Sequence, residues 1–238
     1  MDRYQKCSCV LLASIILAEL FLVAMYVMFN QEPIGHAKLA GLFHLGEEEN
    51  LPTWFSSTQF LLLGLVLAAI FVMSKAINPH QRTTIIWLFC SMGAVFLSAD
   101  ETATLHENFG SAFRQFVDRF PPNSMIANLS DFPSYFWILL YVPIALPVAV
   151  ILSCFLWKEL GRLRLLPIAG MVLFLIGAVG VDYIEGIFRL TSSGPDSYFY
   201  FYLVEESLEM FGVTLILAGC LLHTAKLVPQ WIESLKSS

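Results

Sequence analysis

Charge is what this sequence has least of. Asp, Glu, Lys and Arg together make up 13% of its 238 residues, about half the share of a typical soluble domain. Hydrophobic residues reach 57% and the mean hydropathy is +0.70, a departure in the direction a lipid bilayer demands. The scarcer charge is the positive one, with 13 Lys and Arg against 19 Asp and Glu. No basic patch exists for phosphates to meet, which excludes nucleic acid as a partner. Cysteine is equally unhelpful as a framework. Cys90, Cys154 and Cys220 lie inside apolar runs and Cys7 and Cys9 near the N-terminal end, the usage of small buried residues rather than of disulfides. Phosphate loops and nucleotide motifs are absent. So is a convincing nucleophilic triad: Ser56, Ser57 and Ser98 lie near acids, but His106 is the lone histidine at the outer end of a span, and His36 and His44 belong to a loop that the sequence does not place.

What is present is apolar length. A hydrocarbon core of about 30 Å needs roughly 20 apolar residues per helical span. Six runs of that kind occur, at Cys9–Phe29, Pro52–Ser74, Thr83–Leu105, Ser134–Trp157, Leu165–Leu190 and Tyr200–His223. The first is too long for a signal-peptide core and lacks a small-x-small cleavage site, so it is read as a span. Breakers fall between runs, at Asn78-Pro79, Pro121-Pro122-Asn123 and Gly194-Pro195-Asp196, while Pro143 and Pro147 sit inside the fourth, where proline is tolerated and kinks the helix. The expectation is an all-α protein: one membrane domain over residues 1–238, a six-transmembrane-helix bundle whose partner is the lipid bilayer.

Orientation follows from basic residues. With the N-terminus inside, Arg3, Lys6, Lys75, Arg82, Lys158, Arg162, Arg164, Lys226 and Lys236 are inside, and Lys38, Arg114, Arg119 and Arg189 outside. Nine against four places both termini in the cytoplasm. In the outer loop after span three, Phe113, Phe116, Val117 and Phe120 recur at helical spacing among Arg114, Asp118 and Arg119. This predicts that the third helix continues into the headgroup layer and lies amphipathically on it.

The acids are where the chemistry should be. Eight of the nineteen fall in three spans or at their ends: Asp100, Glu101, Glu107, Asp182, Glu185, Glu205, Glu206 and Glu209. An ionised acid at a helix centre costs about 2.5–3.5 kcal/mol on insertion scales, so something must neutralise or hydrate them. At 1.5 Å per residue, Asp100 and Asp182 stand roughly 25 Å from the inner ends of their helices, and Glu205 to Glu209 roughly 7–14 Å below the outer end of theirs. Three helices thus bring carboxylates to one layer in the outer third of the membrane.

Their faces agree as well. Asp100, Glu101, Thr104, Glu107 and Asn108 share one arc of roughly 120°. Asp182, Glu185, Gly186 and Arg189 form a stripe on the fifth helix, and Tyr202, Glu205, Glu206, Glu209 and Gly212 another on the sixth. Glu49, Thr53 and Ser56 add a polar stripe on the second, with Gln59 at its edge. His106 lies opposite the acidic arc on an ideal helix, so its service as a ligand requires a distortion at the helix end. Glu19 is a lone acid near the middle of span one and a candidate proton relay. Glu47 and Glu48 read as a solvated loop beside the membrane.

Three segments carry a likeness: Glu49-Asn50-Leu51-Pro52-Thr53-Trp54-Phe55-Ser56-Ser57, then Phe96-Leu97-Ser98-Ala99-Asp100-Glu101 with His106-Glu107, then Glu205-Glu206-x-x-Glu209-Met210. The sequence resembles a widespread bacterial family of uncharacterised multi-pass proteins over most of its length. The resemblance implies a bacterial inner membrane, with the periplasm as the outside, and brings no activity.

Carboxylates crowded in a low-dielectric layer must be protonated, paired or bound to a cation, and Arg189 alone cannot compensate eight. Three readings stay open. One is a divalent-metal site, enzymatic or structural: oxygen ligands favour Ca²⁺, Mg²⁺ or Mn²⁺, and a histidine would bring in iron or zinc. Di-iron and di-manganese bundles use carboxylates this way, with Glu-x-x-His pairs that these acids lack. The second is a proton- or cation-coupled transporter or channel, against which the inner halves of the spans are almost uniformly apolar. The third is an accessory subunit or sensor of a membrane complex.

Overall fold

The computed structural model describes residues 3–31, 37–121, 123–191 and 198–237. Among the described residues there is no strand. The helices are α1 (Arg3–Gln31), α2 (Ala37–Leu42), α3 (Leu51–Ile77), α4 (Ile85–Ala103), α5 (Leu105–Val117), α6 (Phe136–Glu159), α7 (Leu165–Leu175), α8 (Asp182–Thr191) and α9 (Tyr198–Ser237), with a π-helical turn Ile176–Val181 joining α7 to α8. Among the described residues, six stretches are long and apolar enough to cross a membrane: Arg3–Asn30, Leu51–Ile77, Arg82–Ala103, Phe136–Glu159, Gly161–Arg189 and Tyr198–Lys236. The expected breaker Gly194-Pro195-Asp196, Pro122 and His36 lie outside the described residues.

Local chemistry sets the boundaries. Asn50 caps α3 by accepting the Thr53 amide at 3.1 Å, and Pro52 opens the helix, where a missing N–H costs nothing. The Asn50 amide also donates to the carbonyls of His44 and Glu47, both at 2.6 Å, which ties the preceding loop to the helix start. Glu49 precedes the cap, exposed and at φ 60°, so it does not extend the α3 stripe as expected.

The third span departs most from expectation. It is not one continuous helix: α4 ends at Ala103, Thr104 turns left-handed at φ 46° and ψ 41°, and α5 follows from Leu105. Asp100 stabilises the corner, accepting the His106 backbone N–H at 2.9 Å and so satisfying one of the orphan donors at a helix start. α5 then packs on the start of α6, with Arg114 over the Phe136 ring at 5.4 Å.

α9 is the axis of the bundle and packs against α1, α3 and α7. Its middle stretch joins α3, α4 and α6 in an apolar core that includes Leu67, Ile70, Trp87, Phe155, Val213, Leu217 and Cys220. α3 and α4 are zipped by small polar residues: Ser57 Oγ donates to the Ser98 carbonyl and Ser91 Oγ to the Gly64 carbonyl, both at 2.8 Å. Such contacts let backbones approach where apolar burial alone gives little drive. The perimeter is the reverse of a soluble surface, with Leu17, Phe89, Met92, Ile144, Val150, Ile151 and Leu165 all more than half exposed.

Candidate functional site

One end of the bundle gathers the start of α3, the α4–α5 corner, the start of α6, α8 and the start of α9 around a cavity of about 350 Å³. Its wall is acidic. Glu101 from α4, Glu107 from α5, Asp182 and Glu185 from α8, and Glu205, Glu206 and Glu209 from α9 all line it. Within that ring Asp182, Glu185 and Glu205 each present an oxygen within 4.8 Å of the other two, a separation one cation could bridge.

Two of these three are held by neighbours that fix their direction. Trp137 Nε1 donates to Asp182 Oδ2 at 2.7 Å. Glu185, almost fully buried, accepts the Tyr135 hydroxyl at 3.0 Å and Arg189 Nε and Nη2 at 2.8 Å, all on Oε1. Arg189 Nη2 also donates to the Tyr202 hydroxyl at 2.9 Å, locking α8 to α9. Partners of this kind orient ligating groups in metal sites. Burial and the nearby Glu185 charge push the Tyr135 phenol above its ordinary pKa, which keeps it a hydrogen-bond donor.

The acids expected to share one cavity divide in two. Glu185, Glu206 and Glu209 line it, whereas Asp100 stands behind it with both oxygens engaged by His106, Oδ1 with the backbone N–H and Oδ2 with Nδ1 at 2.9 Å. The left-handed Thr104 supplies the distortion that His106 needs, turning its ring onto the cavity wall. Thr104 itself takes a hydrogen bond from Asn108 at 2.9 Å and does not line the cavity. Thr53 lines it; Ser56 is buried beside Glu101. Gln59 and Glu19 lie deeper, hydrogen-bonded to one another.

Several lining residues are not among those singled out from the sequence. Glu48, on the exposed loop before α3, lines the cavity with Leu45 and Gly46. Desolvation and then the Glu107 charge raise the Glu48 carboxyl above its ordinary range, against the opposing pull of His106. Arg114, Tyr135 and Trp137 line the cavity too. Tyr135 and Trp137 open an apolar run with no charge to mark them, and the loop fold that brings Glu48 in leaves no periodic trace.

Desolvation works against a charged His106, but the Asp100 hydrogen bond and charge, with Glu107 and Glu101 nearby, outweigh it and raise the ring's pKa. A pKa raised on folding contributes stability that is complete below the unfolded value, about 6.5 for histidine, and is lost as pH rises through the folded value. Asp100→Asn keeps a capping oxygen and removes the charge. It is expected to lower the melting temperature more at pH 6 than at pH 9, and equal losses at both pH values would count against a charged pair.

An all-helical bundle with six helices long enough for a bilayer and a carboxylate-walled cavity at one end defines the class. The chain belongs to the family described as a domain of unknown function, DUF8692, whose model matches residues 10–224. No curated protein and no solved structure matches it.

Proposed function

We propose that this chain is an integral membrane protein of the bacterial inner membrane that holds a divalent cation in the acidic cavity at its periplasmic end. The observation that carries this reading is the triad Asp182, Glu185 and Glu205, three convergent oxygens, with Asp182 held by Trp137 and Glu185 by Tyr135 and Arg189. Their donor set is all oxygen, which favours Ca²⁺, Mg²⁺ or Mn²⁺. The cavity is far larger than an ion, and Glu101, Glu206 and Glu209 line the rest of it, leaving room for a substrate or second ion beside the first. The residues fit a metal-dependent membrane enzyme; Glu101, Glu107 and His106 are among the groups at the wall able to move a proton. Metal analysis of protein purified without chelators should find one or more equivalents of divalent ion, lost in Glu205→Gln. Metal-free protein that takes up none from solution would sink the proposal.

The orientation rests on the basic-residue asymmetry. A cysteine at Ser124, in a background free of native cysteines, should react with an impermeant maleimide added to the periplasmic side of spheroplasts. One at Lys236 should react after lysis alone, and labelling of Lys236→Cys in intact spheroplasts would invert the topology.

A further inference from the structure

Below the cavity, in the middle of the bundle, three polar side chains from three helices meet: Glu19 of α1, Gln59 of α3 and Thr214 of α9. All are buried, at 6%, 3% and 2% exposure. Gln59 Nε2 donates to Glu19 Oε1 at 2.7 Å and to Thr214 Oγ1 at 2.8 Å, and Thr214 Oγ1 donates to Glu19 Oε1 at 2.5 Å. Every donor of the cluster is thereby used. Two acceptors remain, the second Glu19 oxygen and Gln59 Oε1, the latter buried without any partner. A carboxylate here would also carry one negative charge with no basic side chain against it, an arrangement that a low-dielectric interior does not tolerate. One added positive charge removes the imbalance.

Which cation fits is set by space and by the path in. A sodium ion needs room and several more oxygens than this cluster offers. A proton needs no such room. The path runs along α3, where Thr53, Ser56 and Gln59 repeat every three residues from the cavity wall down to the cluster, a descent of roughly 9 Å. Ser56 Oγ is buried within reach of the Glu101 carboxyl without closing a well-formed hydrogen bond to it, and Gln59 Oε1 has no partner. Two consecutive under-satisfied oxygens on one stripe are what a water-bridged proton file presents, because buried polar groups otherwise find partners. Toward the other end of the bundle the stripe stops, replaced by the apolar core around Leu67, Ile70 and Leu217.

We propose that Glu19, Gln59 and Thr214 form a second, proton-binding site at mid-bundle, which exchanges its proton with the acidic cavity through Ser56 and is closed toward the opposite end. In that exchange a hydronium ion in the cavity becomes water while the Glu19 carboxylate becomes the acid, so charge and atoms balance. The site stands independently of whether the cavity holds a metal.

Infrared difference spectra of the full chain in lipid nanodiscs test this. Wild type minus Glu19→Gln at neutral pH should show the carbonyl stretch of a protonated carboxylic acid, and that band should shift in heavy water. Ser56→Ala leaves Glu19 in place and should keep the band but slow its deuterium shift at least tenfold. Should Glu19→Gln misfold, the Ser56→Ala comparison decides alone: an unchanged exchange rate overturns the path. A difference spectrum without the protonated band, or a melting temperature raised by sodium chloride over choline chloride in wild type and not in Glu19→Gln, overturns the proton as occupant.

Discussion

Adding a chelator to the purified protein is expected to lower its melting temperature by roughly 5–10 °C. An ion at a hundred times its dissociation constant stabilises the native state by about 2.7 kcal/mol, and each kcal/mol is worth about 2–4 °C in a chain of this size. Stripping the ion leaves Asp182, Glu185 and Glu205 facing one another across less than 4.8 Å, and Arg189 engages Glu185 alone of the three. Asp182→Asn and Glu205→Gln keep the shape and the hydrogen-bonding capacity but remove the charge. Both should make the melting temperature indifferent to chelator. Because ligating carboxylates must be ionised, binding should release protons and strengthen with rising pH, which calorimetry in buffers of different ionisation enthalpy would register. If the chelator changes nothing while the same two substitutions raise the melting temperature, the acids are held by protons, and a proton-linked carrier takes the place of a metal site.

The second large effect is expected where two backbones touch. A Cβ on Gly170 of α7 would lie 2.4 Å from the Gly212 carbonyl oxygen and 2.8 Å from the Ile216 nitrogen. One on Gly212 of α9 would lie 2.7 Å from the Gly170 carbonyl oxygen. These are backbone atoms that no rotamer change can move aside, so the helices must part. Overpacking of this kind costs about 1–3 kcal/mol, and Gly170→Ala should therefore melt roughly 2–12 °C lower. Gly170→Leu should fail to give a monodisperse protein in detergent. Gly93, with nothing within 4 Å of a Cβ, is the control, and its alanine variant should melt as wild type or slightly higher. The idea of a tight α7–α9 crossing fails if Gly170→Ala and Gly93→Ala melt alike.

That crossing also bears on the site, since it sets how closely α8 approaches α9 and hence how Asp182 meets Glu205. Much of this was legible in the sequence. Apolar length marked the six long helices, because a bilayer imposes a hydropathy signal that does not depend on tertiary detail. Depth and face brought the carboxylates of α8 and α9 together, since a regular helix carries a stripe to one height on one side. The losses occur where the chain stops being regular. Extrapolating α4 through Thr104 sent His106 away from the acids, and only a left-handed residue, which no residue type at that position announces, turns it back. Asp100 fits the acidic arc by angle yet serves as a cap, because a helix start six residues on needed an acceptor. Thr214 was invisible as a partner of Glu19: a lone hydroxyl in an apolar run has no pattern, and the pairing spans 195 residues.

The π-helical turn Ile176–Val181 gives the fifth span something like a dislocation in a crystal row. A π turn amounts to one residue inserted into an α-helix, and each residue is worth about 100° of azimuth. Everything after it, Asp182, Glu185 and Arg189 included, is therefore offset by about that angle from the direction that α7 alone projects. Two lineages could carry identical acids at identical hydropathy and still differ in whether they aim at α9, according to whether this one-residue fault is kept. Gly177 and Gly180 lie within it, and Gly177 is where the Glu205 carbonyl comes within 2.9 Å of a would-be Cβ. The fault thus lies against the very stretch of α9 that carries Glu205 and Glu209, and a single-residue deletion there would leave a span of ordinary length whose carboxylates point elsewhere.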